Sequence, residues 1–469
     1  MPSEQRYHQK VAVACLAIPP EYQSHNKNAY SGGSMQRCIN LSSELSTIYR
    51  KIDWRLLPFL LLCYVVAYLD RVNVGFAKLQ MQSDLSLSDA AYGLGAGIFF
   101  IGYALFETPS NLLLPKIGAR RTLSRVMILW GITSACMVFV ESERSFYVLR
   151  FFLGVFEAGF APGMIFYLTY WYGRERLGRV MAIVMLAGPL GGIFGAPLSA
   201  WIMTTFAGFH GLAGWQWMFF LEALPAVVLG LIALKVLSDK PSVAPWLSAR
   251  EKEVLNAHIG EGQGAHHSFV QVLKDPRVYL MAAGYFCLIC GIYTMSFWLP
   301  SILKDAGVQG VMQIGLYSAI PYVGAMAGML VFGRTSDYFF ERRWHTAVPA
   351  LVAAICLMGS VIYKNEFVFA LTFLTLATTM MWVAYTVFWA IPSQYFKGDT
   401  AAGGIAVINT IGLTGGFLSP TVIGYAKSIT GNSDSGLLVM AAILIVGSLI
   451  LAANKPQRVQ QKVCITQPA

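Results

Sequence analysis

Apolar segments of about 20 residues recur along the whole chain, and each can cross a bilayer core about 30 Å thick as an α-helix. They cover residues 56–77, 90–113, 122–140, 146–170, 178–205, 215–237, 277–303, 311–333, 344–362, 366–392, 401–426 and 434–453. Composition supports this interpretation, because 56% of the residues are hydrophobic and only 12% are charged, whereas soluble domains carry about 25% charged residues. The sequence therefore predicts an all-α integral membrane protein with twelve transmembrane helices.

One long polar stretch separates the first six apolar segments from the last six. Two six-helix halves joined in this way are typical of carriers whose binding site lies between the halves, near the middle of the bilayer. We expect a disordered tail over residues 1–50, a first bundle over 51–237, a linker over 238–276, a second bundle over 277–455 and a tail over 456–469.

Basic residues cluster on alternate connections between the apolar segments, and the other connections carry few of them. The basic set comprises Lys116, Arg120, Arg121, Arg125, Arg174, Arg176, Arg179, Arg334, Arg342 and Arg343, flanked by Arg50, Lys51, Arg55, Lys455 and Arg458. Connections rich in Lys and Arg stay on the cytoplasmic side of a membrane. We therefore expect a multi-pass protein of the cytoplasmic (inner) membrane with both termini in the cytoplasm. The formal net charge of +10 reflects this topology and does not indicate nucleic-acid binding.

The chain shows no pattern typical of an enzyme, a metal site or a cofactor site. It contains no HExxH, GxSxG or P-loop motif and no Cys/His spacing that would hold a metal. None of its eight cysteines lies in a connection on the non-cytoplasmic side, so no disulfide framework is implied. We expect no cofactor and no metal, a lipid bilayer as surroundings, and a monomer.

Ionisable residues inside the apolar segments are the candidates for function. Inserting one such residue at the bilayer centre costs about 2.5–3.5 kcal/mol on insertion scales, so we expect each to be paired with another group or to have a functional role. Asp70 and Arg71 lie in the first segment, Glu107 in the second, and Arg150 and Glu157 in the fourth. The second half has no comparable charge deep in a segment, which confines the charge chemistry to the first half.

Helical geometry separates these residues into two groups. Arg150 and Glu157 are seven positions apart and share a helix face, whereas the neighbours Asp70 and Arg71 point about 100° apart and need different partners. Arg71 and Arg150 fall at similar depths, where two guanidinium groups can hold a carboxylate bidentately. Asp70 and Glu157 are carboxyl groups that can bind and release a proton. The alternative is a static network of buried ion pairs that holds the first half together.

Five stretches carry a resemblance to a known family: LDRVNVGFA in the first segment, ETPSNLLLPKIGARR after the second, RFFLGVFEAGFAPG in the fourth, WMFFLEALPAVVLG in the sixth and GRTSDYFFERR after the eighth. Together they resemble the major facilitator superfamily and, within it, the anion:cation symporters that carry sugar acids and other organic anions. The resemblance covers about residues 50–455, and within the family the chain looks most like bacterial tartrate carriers.

This resemblance implies roles for particular residues. It implies proton-coupled symport of an anion, with a carboxylate held by Arg71 and Arg150 and a proton handled by Asp70 and Glu157. The remaining residues would line the cavity, Tyr68 and Tyr103 from the first half and Trp389 and Asn409 from the second.

The sequence departs from the family in the connection after the second segment. Where the superfamily usually carries an Asp, this chain has Pro115, while the equivalent connection after the eighth segment keeps Asp337. We therefore expect gating contacts to involve Glu107, Lys116 and Arg120 in the first half together with Asp337 in the second.

These observations favour a secondary active transporter, a proton-coupled symporter of a small organic anion that works by alternating access. The main alternative is an antiporter that exports an amphipathic compound or exchanges anions. A membrane-embedded enzyme and a transporter-like receptor that binds without moving solute are further alternatives. The substrate stays open among a dicarboxylate such as tartrate, a monocarboxylate hydroxy acid and an aromatic acid.

Overall fold

A computed structural model describes residues 32–260, 273–339, 341–395 and 399–454 of the chain. Within these ranges the regular secondary structure is helical, and twelve helical spans are long and apolar enough to cross a membrane. The predicted all-α architecture with twelve transmembrane helices is therefore confirmed.

In the described ranges, the first half and the linker contain nine α-helices. They are α1 (Gly32–Asp84), α2 (Asp89–Ile117), α3 (Ala119–Ala135), α4 (Glu143–Glu157), α5 (Phe160–Thr169), α6 (Arg174–Met185), α7 (Ala187–Thr205), α8 (Gly214–Val236) and α9 (Ala249–Gly260). The second half contains eight more. They are α10 (Pro276–Asp305), α11 (Val311–Tyr338), α12 (Trp344–Ile362), α13 (Phe367–Phe388), α14 (Ala390–Tyr395), α15 (Asp399–Leu413), α16 (Gly415–Thr430) and α17 (Asp434–Ala453).

Four of the membrane spans consist of two consecutive helices, namely α4 with α5, α6 with α7, α13 with α14, and α15 with α16. The break between α4 and α5 follows directly from sequence, because Gly159 adopts φ +89°, a left-handed conformation that favours glycine. A side chain at Gly159 would also meet the Ser110 hydroxyl at 2.4 Å. The break ends α4 at Glu157 and so places this carboxyl group at a helix terminus inside the membrane span.

The two chain ends differ from the expected tails. Helix α1 begins at Gly32, so the expectation of disorder over residues 1–50 is wrong for residues 32–50, because the first transmembrane helix continues back through them. Residues 1–31 lie outside the described residues. The other expected tail, residues 456–469, lies outside them as well.

The linker is partly helical. It contains a 3₁₀ turn at Pro241–Val243 and the helix α9, and residues 261–272 lie outside the described ranges. Lys51 of α1 pairs with Glu251 of α9 at 3.0 Å. The backbone amide of Ser248 and the Lys51 ammonium group stabilise the Glu251 carboxylate, which lowers the pKa of Glu251. The linker is thereby attached to the first helix.

The two halves meet most tightly at one face of the membrane domain. We call the face where α1 enters and α17 ends the terminal face, and the opposite one the distal face. Near the distal face α2 packs against α16, where a Cβ atom on Gly93 would lie 2.4 Å from the Pro420 carbonyl oxygen and 3.0 Å from Gly424 Cα. A Cβ atom on Gly75 of α1 would lie 3.0 Å from the Phe297 carbonyl oxygen of α10. Small residues thus let the backbones of the two halves touch.

We predict that Gly93→Ala destabilises the protein. The added methyl group collides with backbone atoms of α16, and overpacking of this kind costs about 1–3 kcal/mol. Thermal unfolding of the purified protein in detergent measures the effect. Gly333→Ala is the matched control, because a Cβ atom on this helical glycine meets nothing within 4 Å, and its stability should be unchanged or higher. Equal stability of both variants would contradict the close packing of α2 on α16.

Candidate functional site

Arg71 lies at the centre of the buried charged site. It belongs to α1, is 6% exposed, and donates from Nη1 to the Tyr293 hydroxyl of α10 at 2.8 Å. Its Nη2 pairs with Oε1 of Glu157, at the C-terminal end of α4. One guanidinium group therefore joins a carboxylate of the first half to a tyrosine of the second half.

Arg150 is fully buried on α4 and faces α2. Its Nε and Nη2 atoms donate to the carbonyl oxygens of Gly95 and Ala96 at 3.3 and 3.2 Å. The close approach of the two helices explains this contact, since a Cβ atom on Gly154 would lie 1.9 Å from the Phe99 carbonyl oxygen. Glycine at position 154 therefore brings Arg150 within reach of the α2 backbone.

The two arginines meet at the ring of Phe99. The guanidinium carbon of Arg71 lies 5.5 Å from the ring centroid, and that of Arg150 lies 5.1 Å from it. Phe99 thus receives cation–π contacts from both. The structure thus places both predicted anion ligands against one aromatic ring, and Arg71 pairs with the predicted proton carrier Glu157.

Most hydrogen-bonding positions of this cluster are filled from within the protein. Arg71 Nε, Arg150 Nη1 and Glu157 Oε2 are buried atoms for which the described ranges provide no hydrogen-bond partner. Two donors and one acceptor therefore stay available at the centre of the first half.

Asp70 lies apart from this cluster although it is next to Arg71 in sequence. Its Oδ2 accepts a hydrogen bond from Trp130 Nε1 at 2.9 Å, and its Oδ1 accepts one from the Ser134 hydroxyl at 3.2 Å. Both donors belong to α3. The structure agrees with the geometric prediction that Asp70 and Arg71 have different partners, and Asp70 attaches α1 to α3.

Tyr68 and Tyr103 line the first-half side of the Arg71 site, as the resemblance implies. Their ring centroids lie 5.4 and 5.5 Å from the Arg71 guanidinium carbon. Tyr68 also contacts the second half, because its ring lies 5.7 Å from that of Trp382 on α13. Aromatic rings therefore surround the guanidinium group from both halves.

The second-half candidates Trp389 and Asn409 lie at a different place, beside Glu107. Asn409 Nδ2 donates to Glu107 Oε1 at 2.8 Å, and the Tyr285 hydroxyl reaches Asn409 Oδ1 at 3.5 Å. The Trp389 ring lies 4.8 Å from that of Tyr285. Glu107 is 4% exposed, so its bond to Asn409 is a buried contact between α2 and α15, one from each half.

The remaining gating candidates form local contacts. Lys116 is exposed on the last turn of α2. The Arg120 backbone amide donates to Asp239 Oδ1 at 2.9 Å, which ties the start of α3 to the linker. Asp337, in the last turn of α11, pairs with Arg342 of the connection between α11 and α12. Of the four predicted gating residues, only Glu107 is in contact with the opposite half in the described ranges.

Three further buried polar residues were not predicted. Glu222 in α8 carries the same signal as the predicted residues, an ionisable group in an apolar segment, and stands within WMFFLEALPAVVLG, whereas Lys78 in α1 follows directly after the predicted first segment. Nothing in the sequence distinguishes Tyr293 from the other tyrosines of the chain, which has 22 in all. As expected, no buried Asp, Glu, Lys or Arg occurs in the described part of the second half.

The described ranges contain no group of three or more His, Cys, Asp or Glu side chains that could hold a metal ion. The site consists of guanidinium groups, carboxyl groups and aromatic rings within a bundle of apolar helices. Ionisable groups buried within membrane spans are typical of functional sites.

Comparison with known proteins agrees with this class of site. The family model described as Major Facilitator Superfamily matches residues 60–420. The chain belongs to the major facilitator superfamily, and it is therefore a multi-pass membrane transporter and not an enzyme.

Individual relatives cover nearly the whole chain. A protein of Agrobacterium vitis named "Putative tartrate transporter" is 45% identical over 425 residues, which are 89% of this chain and 98% of the relative. A "Quinolone resistance transporter" of Acinetobacter baumannii is 38% identical over 429 residues, 90% of this chain and 98% of the relative. Among solved structures, a D-xylose–proton symporter superposes with a TM-score of 0.71 at 14% identity, covering 86% of this chain and 98% of that one. At this identity the likeness concerns the fold alone.

We predict that Asn409→Asp destabilises the contact between the halves at Glu107. The substitution puts a carboxylate opposite a buried carboxylate at hydrogen-bond distance, and an uncompensated buried acceptor costs about 1–3 kcal/mol. Adding Glu107→Gln to Asn409→Asp restores one donor and one acceptor across the same contact. The melting temperature in detergent should fall in the single variant and recover in the double variant. Additive losses in the double variant would contradict a direct bond between these residues.

Proposed function

We propose that this protein is a proton-coupled symporter of a small organic anion, a hydroxy-carboxylate or sugar acid such as tartrate, and that it works by alternating access. We place it in the cytoplasmic membrane with both termini in the cytoplasm, on the basis of the basic connections at the terminal face. The observation that supports the substrate class most strongly is the buried cluster of Arg71, Arg150 and Glu157. Two guanidinium groups and one carboxyl group leave an excess of positive charge in a low-dielectric interior, which favours an anion.

The ion pair between Arg71 and Glu157 suggests how anion and proton are coupled. A substrate carboxylate that binds Arg71 takes the place of the Glu157 carboxylate. Glu157 then loses its positive partner. Protonating its carboxylate costs less free energy than keeping the unpaired charge buried, so Glu157 takes up a proton. Anion and proton therefore favour the same state, which is the thermodynamic requirement for coupling.

The residues around Arg71 fit a substrate with hydroxyl groups beside its carboxylate. Tyr68, Tyr103 and Tyr293 place phenolic groups around the guanidinium carbon. Phenol hydroxyls both donate and accept hydrogen bonds. A short hydroxy acid can use these groups together with the arginines, in agreement with the name of the Agrobacterium vitis relative.

The contacts between the halves support alternating access. The distal face is closed by backbone packing at Gly93 and Gly75, while the contacts nearer the terminal face include single hydrogen bonds such as that between Glu107 and Asn409. Tyr293 brings a second-half group directly to Arg71. A ligand that changes the partners of Arg71 therefore acts on the interface between the halves.

A second candidate function is export of an amphipathic compound. The observation in its favour is the similarity to the Acinetobacter baumannii resistance transporter. Flux measured in each direction across proteoliposomes under an imposed pH gradient separates the two. Uptake of an organic acid with protons moving in the same direction supports symport, and outward movement of drug against protons supports export.

We predict that Glu157→Gln keeps anion exchange but loses uphill accumulation driven by a proton gradient. The amide resembles the protonated acid, so Arg71 can still bind substrate, but no proton can be taken up or released at this position. Proteoliposomes loaded with a hydroxy acid measure exchange, and a pH gradient measures accumulation. Accumulation equal to that of the unmodified protein would contradict the role of Glu157.

We predict that Arg71→Lys raises the KM for a dicarboxylate at least tenfold, about 1.4 kcal/mol. A lysine is a point charge and cannot present the planar fork that holds a carboxylate bidentately. The matched control is Arg144→Lys, at an exposed position on α4, which should leave the KM unchanged. Initial uptake rates over a range of acid concentrations provide both values. An unchanged KM in Arg71→Lys would show that Arg71 does not bind the anion.

A further inference from the structure

Lys78 of α1 is a buried cation that the transport mechanism above does not use. It is 3% exposed and is the only buried lysine in the described ranges. Its Nζ atom pairs with Asp89 Oδ1 at 2.6 Å and donates to the Ser301 hydroxyl of α10 at 3.3 Å. Because Asp89 begins α2 and Ser301 lies near the end of α10, this cluster is close to the distal face.

Lys78 and Arg71 lie on one face of α1. They are seven positions apart, which places them within about 20° of each other and about 10 Å apart along the helix axis. Both are directed towards α10, where Arg71 binds Tyr293 and Lys78 binds Ser301. The seam between α1 and α10 therefore carries one cation near the distal face and another at the central site.

Helix α2 lines the same seam. The centroid of the Tyr92 ring lies 5.1 Å from Lys78 Nζ, and Arg150 donates to backbone carbonyl groups one turn further along α2. Phe99, about one turn beyond, contacts both arginines. The three buried cations of the described ranges thus follow one another along α2, with Lys78 nearest to the distal face, then Arg150, then Arg71.

A closed layer between the two halves separates Lys78 from Arg71. Phe297 lies on α10 halfway between the partners of these two cations, and its carbonyl oxygen accepts a hydrogen bond from the Tyr92 hydroxyl at 3.0 Å. A Cβ atom on Gly75 of α1 would lie 3.0 Å from the same oxygen. A solute that reaches Lys78 from the distal face can therefore pass on to Arg71 only when the two halves move apart.

Asp89 shows that Lys78 holds a carboxylate, and the Asp89 carboxylate is easily replaced. Its side chain is 19% exposed, compared with 3% for that of Lys78, so it can turn towards water. It lies in the first turn of α2, where the helix dipole stabilises a negative charge without help from the lysine. The pair joins two helices that residues 85–88 already connect, and buried ion pairs contribute little net stability. The free-energy cost of exchanging Asp89 for another carboxylate is therefore small.

Trp298 of α10 provides a second, independent observation. Its ring centroid lies 4.3 Å from Lys78 Nζ. The side chain is fully buried, and its Nε1 donor has no hydrogen-bond partner in the described ranges, although a buried indole N–H usually has an acceptor. A carboxylate has two oxygen atoms, so one that binds Lys78 has a second oxygen for the donor on the adjacent ring.

We propose that Lys78 is an outer anion-binding residue of this transporter, and that a substrate carboxylate arriving from the distal face replaces Asp89 there before it moves on to the two arginines. The proposal rests on the organic-anion transport proposed above. The ligand is a small organic acid with at least one ionised carboxylate. Because α10 belongs to the second half, opening of the distal face takes its side chains away from Lys78 and leaves the lysine facing the entering solute.

The first test measures initial uptake of radiolabelled tartrate from the distal side by Lys78→Met over a range of concentrations. A cation on an entry path raises the association rate of an anion by about tenfold or more, so we expect kcat/KM to fall about tenfold and kcat to stay within about twofold. Salt screens such capture, so the difference from the unmodified protein should shrink as ionic strength rises. The matched control is Lys304→Met, at an exposed position in the last turn of α10, which should keep both values. An unchanged kcat/KM in Lys78→Met, or an equal loss of kcat and kcat/KM, overturns the proposal.

The variant Asp89→Asn separates an anion-binding lysine from a simple latch. If the pair only holds the distal face closed, removal of either charge loosens the same contact and changes uptake in the same direction. If Lys78 binds the substrate, loss of its competitor raises kcat/KM in Asp89→Asn, whereas Lys78→Met lowers it. A decrease in Asp89→Asn overturns the proposal even where Lys78→Met does not fold.

These outcomes are distinguishable from failure of the proposed function. If the unmodified protein moves neither tartrate nor another hydroxy acid, the proposed transport fails and the outer site fails with it. If Arg71→Lys raises the KM for tartrate and Lys78→Met leaves kcat/KM unchanged, the central anion site stands and only the outer one is overturned.

Discussion

The ion pair between Arg71 and Glu157 is the interaction on which the rest of the site depends. Both side chains are withdrawn from water inside a helical bundle, where removing one partner leaves an uncompensated charge that costs about 3–5 kcal/mol. Arg71 therefore always needs a negative or polar partner, and Tyr293 of the second half already supplies one hydrogen bond to it. Any solute carboxylate that enters must compete with Glu157, which makes binding and protonation parts of one equilibrium.

Helix α1 distributes this chemistry over two faces. One face carries Arg71, surrounded by aromatic rings and directed towards the second half. The other carries Asp70 and Asn73, directed towards α3 and α8. The two faces cannot move separately, because the backbone of a continuous helix connects them.

Much of the site could be predicted from the sequence, because placing an ionisable side chain inside the membrane costs free energy. Arg71, Arg150 and Glu157 were found by this cost; Arg71 pairs with Glu157, and both guanidinium groups lie against the ring of Phe99. The same criterion applied to the sixth segment would have found Glu222. The gating prediction had a mixed outcome: Glu107 contacts Asn409 of the other half, whereas Arg120 binds Asp239 of the linker and Asp337 pairs with Arg342 of its own half. A basic residue in an exposed connection can form ion pairs of similar free energy with many partners, and the sequence does not show which of these pairs forms.

The sequence by itself determined the twelve membrane-spanning helices and the positions of most buried charges, because hydrocarbon admits few polar groups and only backbones with internal hydrogen bonds. It also determined that Asp70 and Arg71 point to different partners, since helical geometry is local. Only the tertiary structure decided which partners these are. The bond of Arg71 to Tyr293, the bond of Glu107 to Asn409 and the bond of Asn73 to Glu222 join residues far apart in the chain. Such pairings depend on how helices pack against one another, and the close backbone contacts at glycines such as Gly93 and Gly154 set that packing.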